Sequence, residues 1–153
     1  MAKELSFEQR SRVLQNNNKN KIRCHQKRIV ILDDCPRITN YLRPILEPDL
    51  QFDVVTFNDE FEAVKYISQN EVDLVILDIN LGESNGMSIR RVIKSLNDSD
   101  IQFIFISQDK NYRALIEGIG TDFPMFIQKP IASSILKKTV YNCLYKDSYL
   151  NLV

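Results

Sequence analysis

The chain has 153 residues, 44% of them hydrophobic and 26% charged, with 20 Lys/Arg balanced by 20 Asp/Glu. That length suits one domain with its own core, and the composition is that of a globular protein. No apolar run approaches the ~18 residues a membrane span needs, and Met1–Arg10 is too polar for a secretory signal. Three scattered cysteines (Cys24, Cys35, Cys143) argue against a zinc site or a disulfide framework, so a reducing cytoplasm is the expected location.

The zero net charge hides an asymmetry. Residues 1–28 carry eight Lys/Arg against Glu4 and Glu8, a net of +6, and the rest of the chain carries −6. Residues 1–27 are expected to be a basic, partly flexible extension, with a short helix over Leu5–Gln15 capped by Ser6 and Gln9. An Asn/Lys-rich linker follows at Gln15–Asn20. The extension reads as a solvated tail, with binding to nucleic acid or an anionic surface as the alternative.

From residue 28 to about 147, strand and helix signals alternate, and residues 148–153 form a short tail. Ile29–Leu32 is the first strand. The first helix has its apolar positions at Ile38, Tyr41, Leu42, Ile45 and Leu46. Pro36 suits its first turn, while Pro44 predicts a kinked or irregular last turn. Phe52–Phe57 is the second strand, and Asn58 or Asp59 can cap a second helix whose apolar face is Phe61, Val64 and Ile67. Val72–Asp78 is the third strand, and a Gly-containing loop, Leu81–Gly86, leads to a third helix marked by Ile89, Val92, Ile93 and Leu96. Ile101–Ile106 and Phe123–Ile127 are the fourth and fifth strands. Tyr112, Leu115, Ile116 and Ile119 mark the fourth helix; Leu136, Val140, Cys143 and Leu144 mark the fifth. Strands apolar throughout fit a parallel sheet covered on both faces. Right-handed crossovers then predict a flavodoxin-like (βα)5 doubly wound three-layer sandwich with a five-stranded parallel sheet.

In such a sheet the strand ends collect at one edge, where open α/β folds place their ligands. The residues delivered there are Asp33 and Asp34, then Asp78, Ser107 and Lys129-Pro130. A carboxylate such as Asp78 can attack a phosphoryl group and hold it as an acyl phosphate. Two carboxylates ~4 Å apart repel by about 4 kcal/mol at an effective dielectric of ~20. Three together must protonate in part or recruit a cation. Magnesium prefers a few carboxylate oxygens plus water and phosphate oxygens, which suits this set. Lys129 can pair with phosphoryl oxygens as a point charge.

The set resembles the receiver domain of bacterial two-component response regulators (CheY-like), over roughly Lys27–Lys146. An acidic pair, an acceptor Asp, a Ser/Thr and a Lys-Pro follow strands one, three, four and five. Their spacings are 44 residues from Asp34 to Asp78, 29 to Ser107 and 22 to Lys129. The resemblance implies strand order 2-1-3-4-5 and a single-domain response regulator of a phosphorelay. By the same resemblance Asp78 would be the phosphoacceptor, and the donor a sensor histidine kinase or a histidine phosphotransfer protein. It implies Mg2+ on Asp34, Asp78 and the Asn80 main-chain carbonyl, with Asp33 partly through water. It further implies a cis Lys129–Pro130 bond and an aromatic switch at Phe126, whose ring turns inward as Ser107 moves to the phosphoryl group. Signalling would pass through the surface of the fourth helix, fifth strand and fifth helix, where Tyr112, Arg113, Tyr141 and Tyr145 are candidate contacts. A downstream protein, onward phosphotransfer or a weak dimer could use that surface, with a monomer as the other expected state.

Two departures stand out. Gly82 stands where the family usually has proline, which predicts a looser loop. Gln108 stands where a small residue is usual, so its amide is expected to narrow the entrance to Asp78; Asn80 and Asp109 flank the path of hydrolytic water. The chain is expected to be no enzyme beyond its own aspartyl phosphorylation and dephosphorylation. The only histidine, His25, lies in the polar extension, so the phosphate must come from another protein. The alternative is a phosphorylation-independent interaction scaffold. An aspartyl-phosphate phosphatase would place a second Asp two residues after its nucleophile, an arrangement that Cys35 does not supply. A flavin carrier would need a Ser/Thr/Gly-rich phosphate loop after the first strand.

Overall fold

The structure is a computed structural model that describes residues 26–97, 99–117 and 125–145. The expectations for residues 1–25, including the capping box at Ser6 and Gln9, lie outside the described residues, as do Ile119 and the start of the expected fifth strand.

The elements in chain order are β1 (Lys27–Leu32), α1 (Pro36–Leu46), β2 (Phe52–Phe57), α2 (Glu60–Gln69), β3 (Leu74–Asp78), β4 (Asn80–Leu81), β5 (Ser84–Asn85), α3 (Gly86–Leu96), β6 (Gln102–Ser107), α4 (Asn111–Glu117), β7 (Met125–Gln128) and α5 (Ser133–Tyr145). The main sheet is parallel with order β2-β1-β3-β6-β7, which is the expected 2-1-3-4-5 order once the short β4–β5 hairpin is set aside. The fold is the expected flavodoxin-like three-layer sandwich. Among the described residues, no helix is long and apolar enough to cross a membrane.

Alternation along each buried strand makes two cores, because successive side chains leave opposite faces of a sheet. Ile29, Ile31, Leu74, Ile76, Ile104 and Ile106 face α1 and α5, meeting Leu42, Leu46, Leu136 and Val140. Val30, Leu32, Val75, Leu77, Phe103 and Phe105 face the other way, against Ala63 and Ile67 of α2, Ile89 and Ile93 of α3 and Ile116 of α4. Ile29–Leu32 are all fully buried, which holds β1 inside the sheet between β2 and β3, with its carboxyl end at the ligand edge.

Several helix faces differ from expectation. Phe61 is 71% exposed, and Ala63 takes the buried position beside Ile67. The reason is the cap: Asp59 accepts the Glu62 N–H at 2.9 Å. That fixes where α2 begins and turns a small alanine, rather than Phe61, towards β1. On α3 only Gly86, Ile89 and Ile93 are buried, leaving Val92 and Leu96 outside. Pro44 does not end α1, which continues to Leu46 and closes with the Glu47 N–H on the Arg43 carbonyl at 2.9 Å. Pro44 and Asn40 are both exposed, so water can satisfy the carbonyl whose helical bond Pro44 removes.

Candidate functional site

At the carboxyl end of β1, Asp33 is fully buried and Asp34 is exposed. Asp33 continues the strand by donating its N–H to the Phe57 carbonyl at 3.2 Å, and its Oδ1 accepts the Cys35 N–H at 2.9 Å. At the end of β3, Asp78 is almost fully buried, and its Oδ1 accepts the Asn80 N–H at 3.0 Å. Lys129, just past β7, bridges both acids, with Nζ 2.7 Å from Asp33 Oδ2 and 2.8 Å from Asp78 Oδ2. Oxygens of Asp33, Asp34 and Asp78 all lie within 4.8 Å of one another. The Lys129–Pro130 peptide is cis.

The electrostatics follow from burial. Asp78 is pushed above the ordinary carboxylate range by desolvation, opposed by its bonds to Lys129 and the Asn80 N–H, with the Asp33 charge adding to the rise. Burial lowers Lys129, but its hydrogen bonds and charge attraction to Asp33 and Asp78 outweigh that, and the ammonium ends above the usual lysine range. One cation among three carboxylates leaves the site an electron-rich pocket of hard oxygen donors, which fits a divalent cation such as Mg2+.

The segment after Asp78 is a hairpin. The Gly86 N–H donates to the Ile79 carbonyl at 2.8 Å, and Asn80 pairs with Asn85. Antiparallel pairs alternate between bonded and non-bonded types, so Asn80 turns its N–H and carbonyl away from β5. The N–H goes to Asp78, and the carbonyl is not committed to the hairpin. The loop is therefore ordered by two short strands rather than loosened by Gly82. That glycine has φ +60°, the value required at the first position of a two-residue type II′ turn and closed to proline. Asn85 then caps α3, accepting the Met87 N–H at 2.8 Å. A cleft of about 260 Å³ opens beside Asp34, lined also by Asp59, Glu60, Leu81, Glu83 and Ser84.

Ser107 is fully buried at the end of β6, next to the acids. Its Oγ accepts the Asp109 N–H at 3.1 Å and lies 3.4 Å from Asn80 Nδ2, and its carbonyl accepts the Lys129 N–H at 2.8 Å. Gln108 is exposed beside it, and Asp109 caps the start of α4 through the Asn111 N–H at 2.9 Å. Phe126 is half-buried on β7, with the Arg113 guanidinium 5.4 Å above its ring. Tyr141 and Tyr145 turn towards the α1–β2 connection, where their hydroxyls meet Asp49 and Gln51.

A sequence profile described as the response regulator receiver domain matches residues 29–141, covering the acids, Ser107 and Lys129. The chain belongs to the response regulator receiver domain family. This receiver is 28% identical over 118 residues to the CAI-1 autoinducer sensor kinase/phosphatase CqsS of Vibrio cholerae, a match covering 76% of the chain and 17% of the relative. To the regulatory protein LuxO of the same species it is 25% identical, over 78% of the chain and 26% of LuxO. To the regulatory protein VanRB of Enterococcus faecalis it is 30% identical, over 80% and 54%. The chain thus spans well under two thirds of these relatives. A CheY-like receiver from Methanospirillum hungatei superposes with a TM-score of 0.68 at 21% identity, covering 81% of this chain and 98% of that one. The receiver domain of a LuxO repressor protein from Vibrio parahaemolyticus gives 0.69 at 19% identity, covering 83% and 96%.

Two residues of the receiver's site carried no signal as such in the sequence. Asn58, read there as a possible helix cap, donates Nδ2 to the Asp33 carbonyl at 2.8 Å and to Thr39 Oγ1 at 3.0 Å. At Gly86 an added Cβ would lie 2.3 Å from the Asp78 carbonyl oxygen. Both depend on contacts between separate elements of the fold.

Proposed function

We propose that this receiver, over residues 28–147, accepts a phosphoryl group on Asp78 from a phosphohistidine of a sensor histidine kinase or a histidine phosphotransfer protein. An Asp78 carboxylate oxygen forms the new P–O bond, and the P–N bond breaks with its electron pair leaving on the imidazole nitrogen. The observation that carries this reading is the gathering of Asp33, Asp34 and Asp78 oxygens within 4.8 Å of one another, with the Lys129 ammonium on Asp33 and Asp78. Asp34, Asp78 and the Asn80 carbonyl would hold Mg2+, with Asp33 contributing partly through water. The ion, when bound, supplies positive charge against the charge developing on the phosphoryl oxygens. Lys129 transfers its hydrogen bond from Asp78 to a phosphoryl oxygen, and Ser107 Oγ donates to another, drawing the β6–α4 loop inward. Phe126 follows into the space that loop vacates, altering the α4–β7–α5 surface offered to a protein partner.

The test is intact mass after incubation with acetyl phosphate and Mg2+. Wild type gains one phosphoryl mass, and Asp78→Asn gains none. An unchanged wild-type mass would overturn the reading in favour of a scaffold that binds without phosphorylation. A second expectation concerns Gln108, which is exposed and directly follows Ser107. Gln108→Ala should be labelled several-fold faster by acetyl phosphate; equal rates would show that the amide does not restrict access.

A further inference from the structure

We infer that Asn58 is a positioning residue for the acidic pair, holding Asp33 and Asp34 in the arrangement that binds Mg2+. The assignment rests on the phosphoacceptor reading above. The parallel register of β1 and β2 ends at Leu32 and Phe57. Beyond it, the Asp33 N–H still finds the Phe57 carbonyl. The Asp33 carbonyl would need the backbone N–H of a continuing β2. No such strand continues, because Asp59 has become the cap of α2. Asn58 supplies the missing donor from its side chain, with Nδ2 2.8 Å from the Asp33 oxygen.

An amide nitrogen has two protons, and the second also has an acceptor. Nδ2 lies 3.0 Å from Thr39 Oγ1. Thr39 is buried in the first turns of α1 and lies 3.1 Å from the Pro36 carbonyl through the same hydroxyl. One side chain on the β2–α2 junction therefore ties the end of β1 to the start of α1. Between those two anchors run Asp33, Asp34, Cys35 and Pro36. Asp33 also fixes its own Oδ1 on the Cys35 N–H. Asp34 has to face its partners from an exposed loop position, so its carboxylate can be no better placed than the backbone beneath it. Groups that orient ligands from behind commonly change metal affinity by 10- to 100-fold when removed.

The experiment is Mg2+ titration by calorimetry on wild type, Asn58→Ala, Asn58→Asp and Thr39→Val, with thermal unfolding in Mg2+-free buffer alongside. Asn58→Ala should bind Mg2+ about tenfold or more weakly, and labelling by acetyl phosphate should recover at saturating Mg2+. Asn58→Asp keeps the shape but presents carboxylate oxygens to two acceptors, so it should bind at least as weakly. Thr39→Val breaks one arm only and should show a smaller loss in the same direction. Wild-type affinity in Asn58→Ala would overturn the assignment, as would a lowered Tm with unchanged affinity, which would mark a role in stability alone. A wild type that itself binds no Mg2+ would bring down the phosphoacceptor reading together with this one, so the two failures are distinguishable.

Discussion

Lys129→Ala lowers the stability of the Mg2+-free protein at neutral pH by about 3–5 kcal/mol, the cost of removing one partner from a buried ion pair. The lysine side chain is 11% exposed and the Asp33 side chain not at all, so water cannot replace the ammonium. With total stabilities of about 5–15 kcal/mol typical, the variant sits near its folding threshold. The pH dependence has a definite sign. Asp78 is already raised by burial with Lys129 in place, and without that ammonium it rises further. The folded variant then binds more protons than its unfolded chain above the ordinary carboxylate range. Its stability therefore falls as pH climbs through that window and returns on acidification. In wild type the raised Lys129 contributes stability that is fully present below the ordinary lysine range and is lost only as pH rises through its elevated folded value. Urea unfolding at neutral and mildly acidic pH measures the difference. A deficit that does not shrink at the lower pH would show that charge imbalance is not the cause.

The same residue shows how much of the site could be read in advance. In a parallel sheet every strand delivers its last residue to one edge, so apolar runs ending in Asp33, Asp78 and Ser107, with Lys129 just past another, suffice to gather those groups. No side-chain detail enters that step. What escaped the reading depends on contacts between elements. Phe61 and Ala63 both lie on a plausible apolar arc of α2, and only the rotation set by the Asp59 cap decides which one is buried. Gly82 marked a departure from the family, but its consequence follows from a positive φ in a two-residue turn. Asn58 has the residue type of a helix cap, and it caps nothing; its partners are a carbonyl 25 residues upstream and a hydroxyl 19 residues upstream.

Gly86→Ala is the second large effect, and it acts on geometry rather than charge. An ideal Cβ would lie 2.3 Å from the Asp78 carbonyl oxygen and 3.0 Å from the Ile79 Cα, both backbone atoms. No side chain can swing aside, so either the first turn of α3 or residues 78–80 must move. Overpacking of this kind costs about 1–3 kcal/mol. The functional cost is larger, because an ångström of misplacement in a reacting group can slow transfer about 100-fold. Gly82→Ala is the informative comparison: its Cβ would meet nothing nearer than Asp34 Oδ2 at 3.8 Å, and the penalty is confined to its φ of +60°. Holding an L-residue in so sparsely populated a region costs about 1–3 kcal/mol, so the two variants should lose similar stability. Only Gly86→Ala should lose most of its labelling rate at Asp78, because only there does the intruding atom press on the backbone that carries Asp78. Equal labelling by both would mean that α3 yields instead, leaving the Asp78 carboxylate where it was.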